Sequence, residues 1–317
     1  MRSFLFLSLL LWLLPAHAAE TKLKLAGPAA VVSYPLIVMA EQQRLDDLDI
    51  GLEFSDWSNP DQLRAMVLSG DIHFSAMPSN LAAIFYNKGH KLTLMNNAIW
   101  SIMWLMSADQ ELSSLSQLEG KEVVVPFKND MPSIVFNELL NKQLTDANKV
   151  NIRYSHNLLD ASQILLAGQA DYAVLIEPIA SIVEFKSKAG KGAKVYRNLE
   201  ISNEWKNTFP QSSKLPQAGI IANTNINQDK ALLSRVHKEY QQAAIWCQDN
   251  PGPCAAMVVK YFPKFPPKAI ANAIKITNMD AVKASDAKGA LEDFYQLLAA
   301  SNKAKIGGKL PAADFYL

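Results

Sequence analysis

The sequence predicts an α/β protein in which one unit is built twice. Three observations carry that expectation. The chain aligns with itself at an offset of 98 positions. Leu25-Ala26-Gly27-Pro28 falls on Val123-Val124-Val125-Pro126, Leu52 and Phe54 on Val150 and Ile152, and Asn59 on Asn157. Leu68-Ser69-Gly70 falls on Leu166-Ala167-Gly168, and Phe74-Ser75-Ala76-Met77 on Tyr172-Ala173-Val174-Leu175. Identities are few, but Gly, Pro and apolar positions keep step, which is the signature of a repeated supersecondary unit. Within each copy, short apolar runs alternate with helical spacing, as in a parallel α/β unit. Finally, residues 19–317 are more than a single core usually organises, so two domains are expected.

The elements follow in order. Residues 1–18 form an export signal: Arg2 is the positive end, 4–14 a short apolar core, and Ala16-His17-Ala18 a small-residue cleavage site. Residues 22–26 alternate as a first strand. Ser33 is a candidate N-cap, and Pro35 sits at a first helical position, where its missing N–H costs nothing. That helix runs to about residue 44. A second strand covers 50–54, a helix 61–68 stopped by Gly70, a third strand 72–76, a helix 80–87 ended by Gly89, and a fourth strand 91–96.

Residues 99–106, Ile-Trp-Ser-Ile-Met-Trp-Leu-Met, are too short for a typical helix and predict one buried strand crossing between the copies. A short helix at 112–118 precedes the second copy, 121–188. Residues 186–194 form a surface loop, 205–217 a Pro- and Ser-containing connection, and 218–222 the returning strand. From Asp229 only helices are expected, at 232–246, 253–261, 267–276 and 287–300.

Composition excludes some partners. There are 31 Lys and Arg against 30 Asp and Glu, and Arg2 leaves with the signal, so the remaining chain is balanced. Neither nucleic acid nor an anionic membrane surface is expected to bind it. Cys247 and Cys254 flank a Pro- and Gly-containing turn. In an oxidising compartment such a pair is expected to bridge; the other use of a close pair, metal binding, has no nearby His or third Cys to complete it. His73, His90, His156 and His237 lack metal-ligand spacing, no nucleophile or phosphate-loop motif appears, and no cofactor or metal is expected.

Four stretches then coincide with the export signal and the duplicated unit. They are LSGDIHFSAMPSNLAAIFYNKGHKLTLM (68–95), LEGKEVVVP (118–126), LLAGQADYAVLIEPIA (165–180) and the terminal IGGKLPAADFYL (306–317). In their order and spacing the chain resembles the periplasmic solute-binding proteins of the nitrate/sulfonate/taurine transporter class, which also includes binders of pyrimidine and other vitamin precursors. The resemblance covers nearly all of residues 23–317. It implies a two-lobed type II periplasmic-binding-protein fold with two crossing strands and a helical C-terminal tail. The implied division is residues 1–18 as signal peptide, 19–102 with 218–317 as the first lobe, and 103–217 as the second. It further implies a periplasmic, monomeric, non-enzymatic protein that binds a small molecule between the lobes and delivers it to an ABC permease and ATPase. Two other functions stay open: an enzyme on the same fold, making pyrimidine or menaquinone precursors, and a sensor or adaptor without transport.

Ligands of doubly wound sheets bind at the carboxyl ends of strands, where helix N-termini offer free N–H groups. That rule selects four loops. Residues 28–35 bring Ser33 and Tyr34, and 75–80 bring Ser75, Met77, Ser79 and Asn80. Residues 127–133 bring Lys128, Asn129, Asp130 and Ser133, and 175–178 bring Glu177. Trp57, Trp100 and Gln217 join them beside strand ends and at the crossings. Each has an ordinary alternative. Glu177 suits a helix start through the macrodipole, Asp130 suits a helix cap, Lys128 suits solvent, and Trp104 suits the core. Helix N-termini favour an anion, whereas Asp130 and Glu177 favour an amine or a ring N–H. The tryptophans favour a planar molecule. A neutral or zwitterionic heterocycle fits this mixture best. If Glu177 faces the cleft, Glu177→Gln is expected to weaken binding tenfold or more.

Overall fold

The computed structural model describes residues 21–226 and 228–317; the expected export signal lies outside them. Two sheets organise the chain. The first copy of the unit contains β1 (Thr21–Pro28), α1 (Tyr34–Glu41), β2 (Ile50–Trp57), α2 (Pro60–Ser69), β3 (Phe74–Pro78) and α3 (Ser79–Asn87). A short β4 (Thr93–Leu94) and β5 (Asn96–Ser101) follow, and β6 (Met103–Ser107) opens the second sheet. The second copy contains β7 (Glu122–Pro126), α4 (Met131–Gln143), β8 (Asn151–Ser155), α5 (Leu158–Leu166), β9 (Tyr172–Ile176) and α6 (Ile179–Lys188). Then come β10 (Tyr196–Glu200), α7 (Ile201–Thr208) and the returning β11 (Ala218–Ala222). The tail is α8 (Lys230–Asp249), α9 (Pro251–Tyr261), α10 (Pro267–Ile276), β12 (Asn278–Lys283) and α11 (Ala284–Ser301).

The repeat persists at the level of register. β1 and β3 pair in parallel with Leu25 opposite Phe74, and β7 and β9 with Val123 opposite Tyr172, each position displaced by the same offset. The strand orders are β12-β5-β11-β3-β1-β2 and β10-β6-β9-β7-β8. In each, a crossing strand lies antiparallel beside the third strand of the unit: β11 beside β3, and β6 beside β9. The punctuation repeats too. Asn59 and Asn157 each accept a hydrogen bond from the backbone N–H three residues on, starting α2 and α5. Gly70 (φ 74°) and Gly168 (φ 65°) take the left-handed conformation just beyond the same two helices.

Three expectations are corrected. Residues 99–106 are not one strand: β5 belongs to the first sheet and β6 to the second, and they part at Ile102. Apart from Ser101 the run is apolar because both strands are interior to their sheets, with a neighbouring strand on each side. The stretch 205–217 is not all connection, since α7 extends to Thr208. Ile201 and Trp205, four residues apart, form its buried face, and the Trp205 ring meets Phe209 and Phe294 at 4.5 and 5.5 Å. The tail is not helical throughout. β12 pairs antiparallel with β5, and its buried Met279 and Ala281 alternate with Asn278 and Asp280, which are exposed.

The tail touches both lobes. α8 and α9 pack on α1, whereas α10 packs on α6, where the Asn272 side-chain amide donates to Ser181 Oγ at 3.0 Å. Cys247 and Cys254 are fully buried and bridged, joining the end of α8 to α9. A loop this short constrains the unfolded chain by about 2–3 kcal/mol. Replacing both residues by Ser is expected to lower stability by about that amount, and more if the new hydroxyls find no partners. Denaturant midpoints measured with and without dithiothreitol check this. Equal midpoints for the oxidised and reduced wild type would rule out a stabilising bridge.

Candidate functional site

The carboxyl ends of β1, β2 and β3 face those of β7 and β9 across a cavity of about 80 Å³. Its wall is nearly all apolar. Pro28, Val32 and Met77 come from the first lobe, Met103, Phe127 and Ile176 from the second. Sequence reasoning singled out Met77 but passed over the other five, because an apolar side chain at a strand end looks the same whether it lines a cavity or a core.

Four of the singled-out residues stand on this wall: Trp57, Met77, Asp130 and Gln217. Gln217 is held by its backbone. Its N–H donates to the Ile99 carbonyl at 2.9 Å, and its own carbonyl accepts from Ser79 N–H at 3.1 Å. The carboxamide is left over. It is 2% exposed, and neither its oxygen nor its nitrogen has a hydrogen-bond partner. Trp57, at the end of β2, is 5% exposed, and its indole N–H is likewise unpartnered. Buried polar groups without partners are rare and costly, so each needs an explanation.

Asp130 occupies the N-cap position of α4 but makes no side-chain cap bond. Its carboxylate instead reaches across the cleft to Arg64 of α2, 3.1 Å away, and Arg64 also pairs with Asp61 at 2.7 Å. Burial pushes the Asp130 carboxyl upward from its ordinary value, against the pull of the Arg64 guanidinium. Phe127 and Asn129, just before it, both have positive φ (61° and 67°), so the loop turns sharply to present Asp130.

The remaining candidates lie off the wall. Ser33 Oγ donates to the Pro28 carbonyl at 2.7 Å, and Ser75 Oγ to the Ala76 carbonyl at 3.0 Å. Ser79 Oγ donates to the Pro216 carbonyl at 2.6 Å, so the start of α3 is closed by the returning segment. The Asn80 amide nitrogen donates to the Lys305 carbonyl at 3.2 Å, and Ser133 Oγ to the Asp130 carbonyl at 3.1 Å. Lys128 and Asn129 are exposed, with the Lys128 ammonium 5.6 Å from the Tyr154 ring centre. Trp100 donates to the Asp280 carbonyl at 2.9 Å and lines a separate recess with Ser101, Glu200 and Lys214. These side chains were singled out for donor capacity; the fold uses most of that capacity on its own backbone.

Glu177 departs furthest from expectation. It is fully buried, pairs with Arg197 and accepts from Ser181 N–H at 3.1 Å. Arg197 also donates to Ser181 Oγ at 3.2 Å and to Glu184 at 3.4 Å, and its guanidinium lies 4.5 Å from the Trp104 ring centre. Both Glu177 oxygens are thus satisfied by protein. Across the lobes, Tyr34 is buried with an unpartnered hydroxyl; burial and then the Glu177 charge raise its pKa well above the ordinary value. Among the described residues no cluster of His, Cys, Asp and Glu could hold a metal ion.

By sequence the chain matches no protein-family model and no curated protein. Solved structures do resemble it. An ABC transporter protein from Parabacteroides distasonis superposes with a TM-score of 0.73 at 19% identity, over 93% of this chain and 98% of that one. The alkanesulfonate-binding protein SsuA from Xanthomonas axonopodis pv. citri, bound to MOPS, has a TM-score of 0.67 at 15% identity, over 93% and 98%. The periplasmic nitrate-binding protein NrtA from Synechocystis PCC 6803 has a TM-score of 0.67 at 13% identity, over 90% and 84%. The chain has the two-lobed α/β fold of these periplasmic binding proteins.

Proposed function

We propose that this chain is the solute-binding component of an ABC importer, a non-enzymatic protein that closes two lobes around a small molecule in the periplasm and delivers it to a membrane permease driven by an ATPase. The observation that carries this reading is the apolar cavity at the facing strand ends, lined by residues from both sheets. A concave, mostly apolar site of this kind suits the body of a small molecule. The lobes swing about two crossings, one at Ile102 and one just before Ala218. Arg64 and Asp130 form the contact that closes the mouth, one from each side. Closure follows from differential affinity: a ligand that touches both walls favours the closed form over the open one.

Protein purified without refolding is expected to carry a small molecule, which native mass spectrometry reads as a discrete added mass. Adding that molecule back to stripped protein at a hundred times its Kd stabilises the fold by about 2.7 kcal/mol, a rise of several degrees in melting temperature. Small-angle scattering is expected to show contraction on the same addition, with the molecule recovered unchanged. A rigid scattering profile and an unmoved melting temperature under every carried or added compound would overturn the proposal.

A further inference from the structure

We propose that the cleft takes an uncharged apolar body, a small aliphatic or aromatic hydrocarbon group, and selects it by size and hydrophobicity rather than by hydrogen bonds. This rests on the solute-binding reading and names the chemistry of its ligand. The observation behind it is a wall whose accessible atoms are all apolar, with Met77 on the first-lobe side and Met103 and Met131 on the second.

Polar ligands are disfavoured because the polar groups near the cavity are already engaged or closed off. The loops at the strand ends carry donors, but the protein uses them itself. Ser33, Ser75, Ser79 and Ser133 all donate to backbone carbonyls. The first N–H of α3, that of Ser79, donates to the Gln217 carbonyl. Asp130 is paired with Arg64 and Glu177 with Arg197, so an amine or a ring N–H finds both carboxylates engaged. The unpartnered atoms of Gln217 and Trp57 are closed off from the free space and meet no occupant. A polar or charged group entering the cavity therefore leaves water and gains no partner, which is costly.

What the wall offers is apolar contact. Trp57 and Phe127 supply aromatic surface, and the three methionines supply flexible, polarisable side chains that shape themselves to an occupant. A cavity lined by apolar atoms holds water poorly and takes hydrocarbon guests. Each methylene that leaves water for such a wall strengthens binding by about fourfold. The free volume, about 80 Å³, limits the enclosed body to one small ring or a short chain. Because the lining comes from both lobes, the occupant touches both and favours the closed form.

The test is calorimetric titration of the full chain with two pairs of like-shaped probes, benzene against neutral pyridine and cyclopentane against tetrahydrofuran, and with ethanesulfonate and ethylamine as charged probes. At least one hydrocarbon is expected to bind the wild type and raise its melting temperature. Its polar counterpart should bind tenfold or more weakly, because the heteroatom loses its water and finds no donor. The charged probes should give no heat. Ala30→Leu, which extends a wall residue into the free space, is expected to weaken hydrocarbon binding tenfold or more. Should that variant fail to fold, Ala218→Val, on the same wall, carries the test with a severalfold loss. Hydrocarbon binding that is equal in wild type and both variants overturns the assignment to this cavity. Silence from both hydrocarbons, a polar counterpart that binds as tightly, or a charged probe that binds more tightly overturns the ligand class; where a polar or charged probe binds and Ala30→Leu or Ala218→Val weakens it, the solute-binding reading stands. If no probe binds and no carried molecule is found by native mass spectrometry, that reading falls as well.

Discussion

Gly219→Ala is expected to destabilise the fold by more than the about 1–3 kcal/mol that overpacking usually costs. Gly219 lies in β11, the strand that returns the chain to the first sheet and packs between β3 and β5. A Cβ there would stand 1.8 Å from the Asn96 backbone oxygen and 2.8 Å from its carbonyl carbon. Neither can move aside as a flexible side chain does. Asn96 is itself fixed, because its side-chain oxygen accepts from Ile220 N–H at 3.1 Å. Relief requires β11 and β5 to separate, which disturbs both the core and the segment that holds Gln217. Gly289→Ala is the control. Gly289 lies inside α11 with nothing within 4 Å of a built Cβ, so alanine should stabilise by about 0.5–1 kcal/mol. Denaturant midpoints of the two variants should move in opposite directions. A Gly219→Ala protein as stable as the wild type would refute the close approach of the two strands.

The fold was far more legible in the sequence than the site, and the reason is range. Helix caps, glycine stops and strand alternation act over three to five residues, so Asn59, Asn157, Gly70 and Gly168 announce their roles locally. The missed β12 obeys the same local rule: Met279 and Ala281 alternate with polar residues, a period of two obscured by helices on either side. The site depends on partners that sequence spacing does not name. Ser79 is closed by Pro216, Trp100 by Asp280 and Asn80 by Lys305, each more than a hundred residues away. A polar side chain advertises how many hydrogen bonds it can make, not where they go. Gln217, Trp57 and Tyr34 differ from most of their fellow candidates because their side-chain capacity is left unused, a property visible only once every neighbour is in place.

Arg197→Met is expected to cost about 3–5 kcal/mol, the range for leaving a buried carboxylate without its counter-ion. Glu177 is fully buried at the start of α6, and Arg197 supplies its positive partner from β10. Without the guanidinium, the carboxylate keeps only the Ser181 N–H. Trp104 loses the group stacked on its face, and Ser181 Oγ loses a donor. Glu177→Gln should cost less. The amide keeps an acceptor for Ser181 N–H, while Arg197 retains Ser181 Oγ and Glu184 and is itself partly exposed. The double variant should therefore be more stable than Arg197→Met alone, because it removes the unpaired charge together with its partner. This ordering moves the consequence of Glu177→Gln from ligand affinity to stability. Both of its oxygens are engaged and it stands off the cavity wall, so binding of the molecule the protein carries should change by less than the tenfold expected of a cleft-facing carboxylate. Urea denaturation of the two single variants and the double variant, with titration of Glu177→Gln, measures both halves. A double variant no more stable than Arg197→Met, or a Glu177→Gln protein of wild-type stability that no longer binds, would return Glu177 to the ligand.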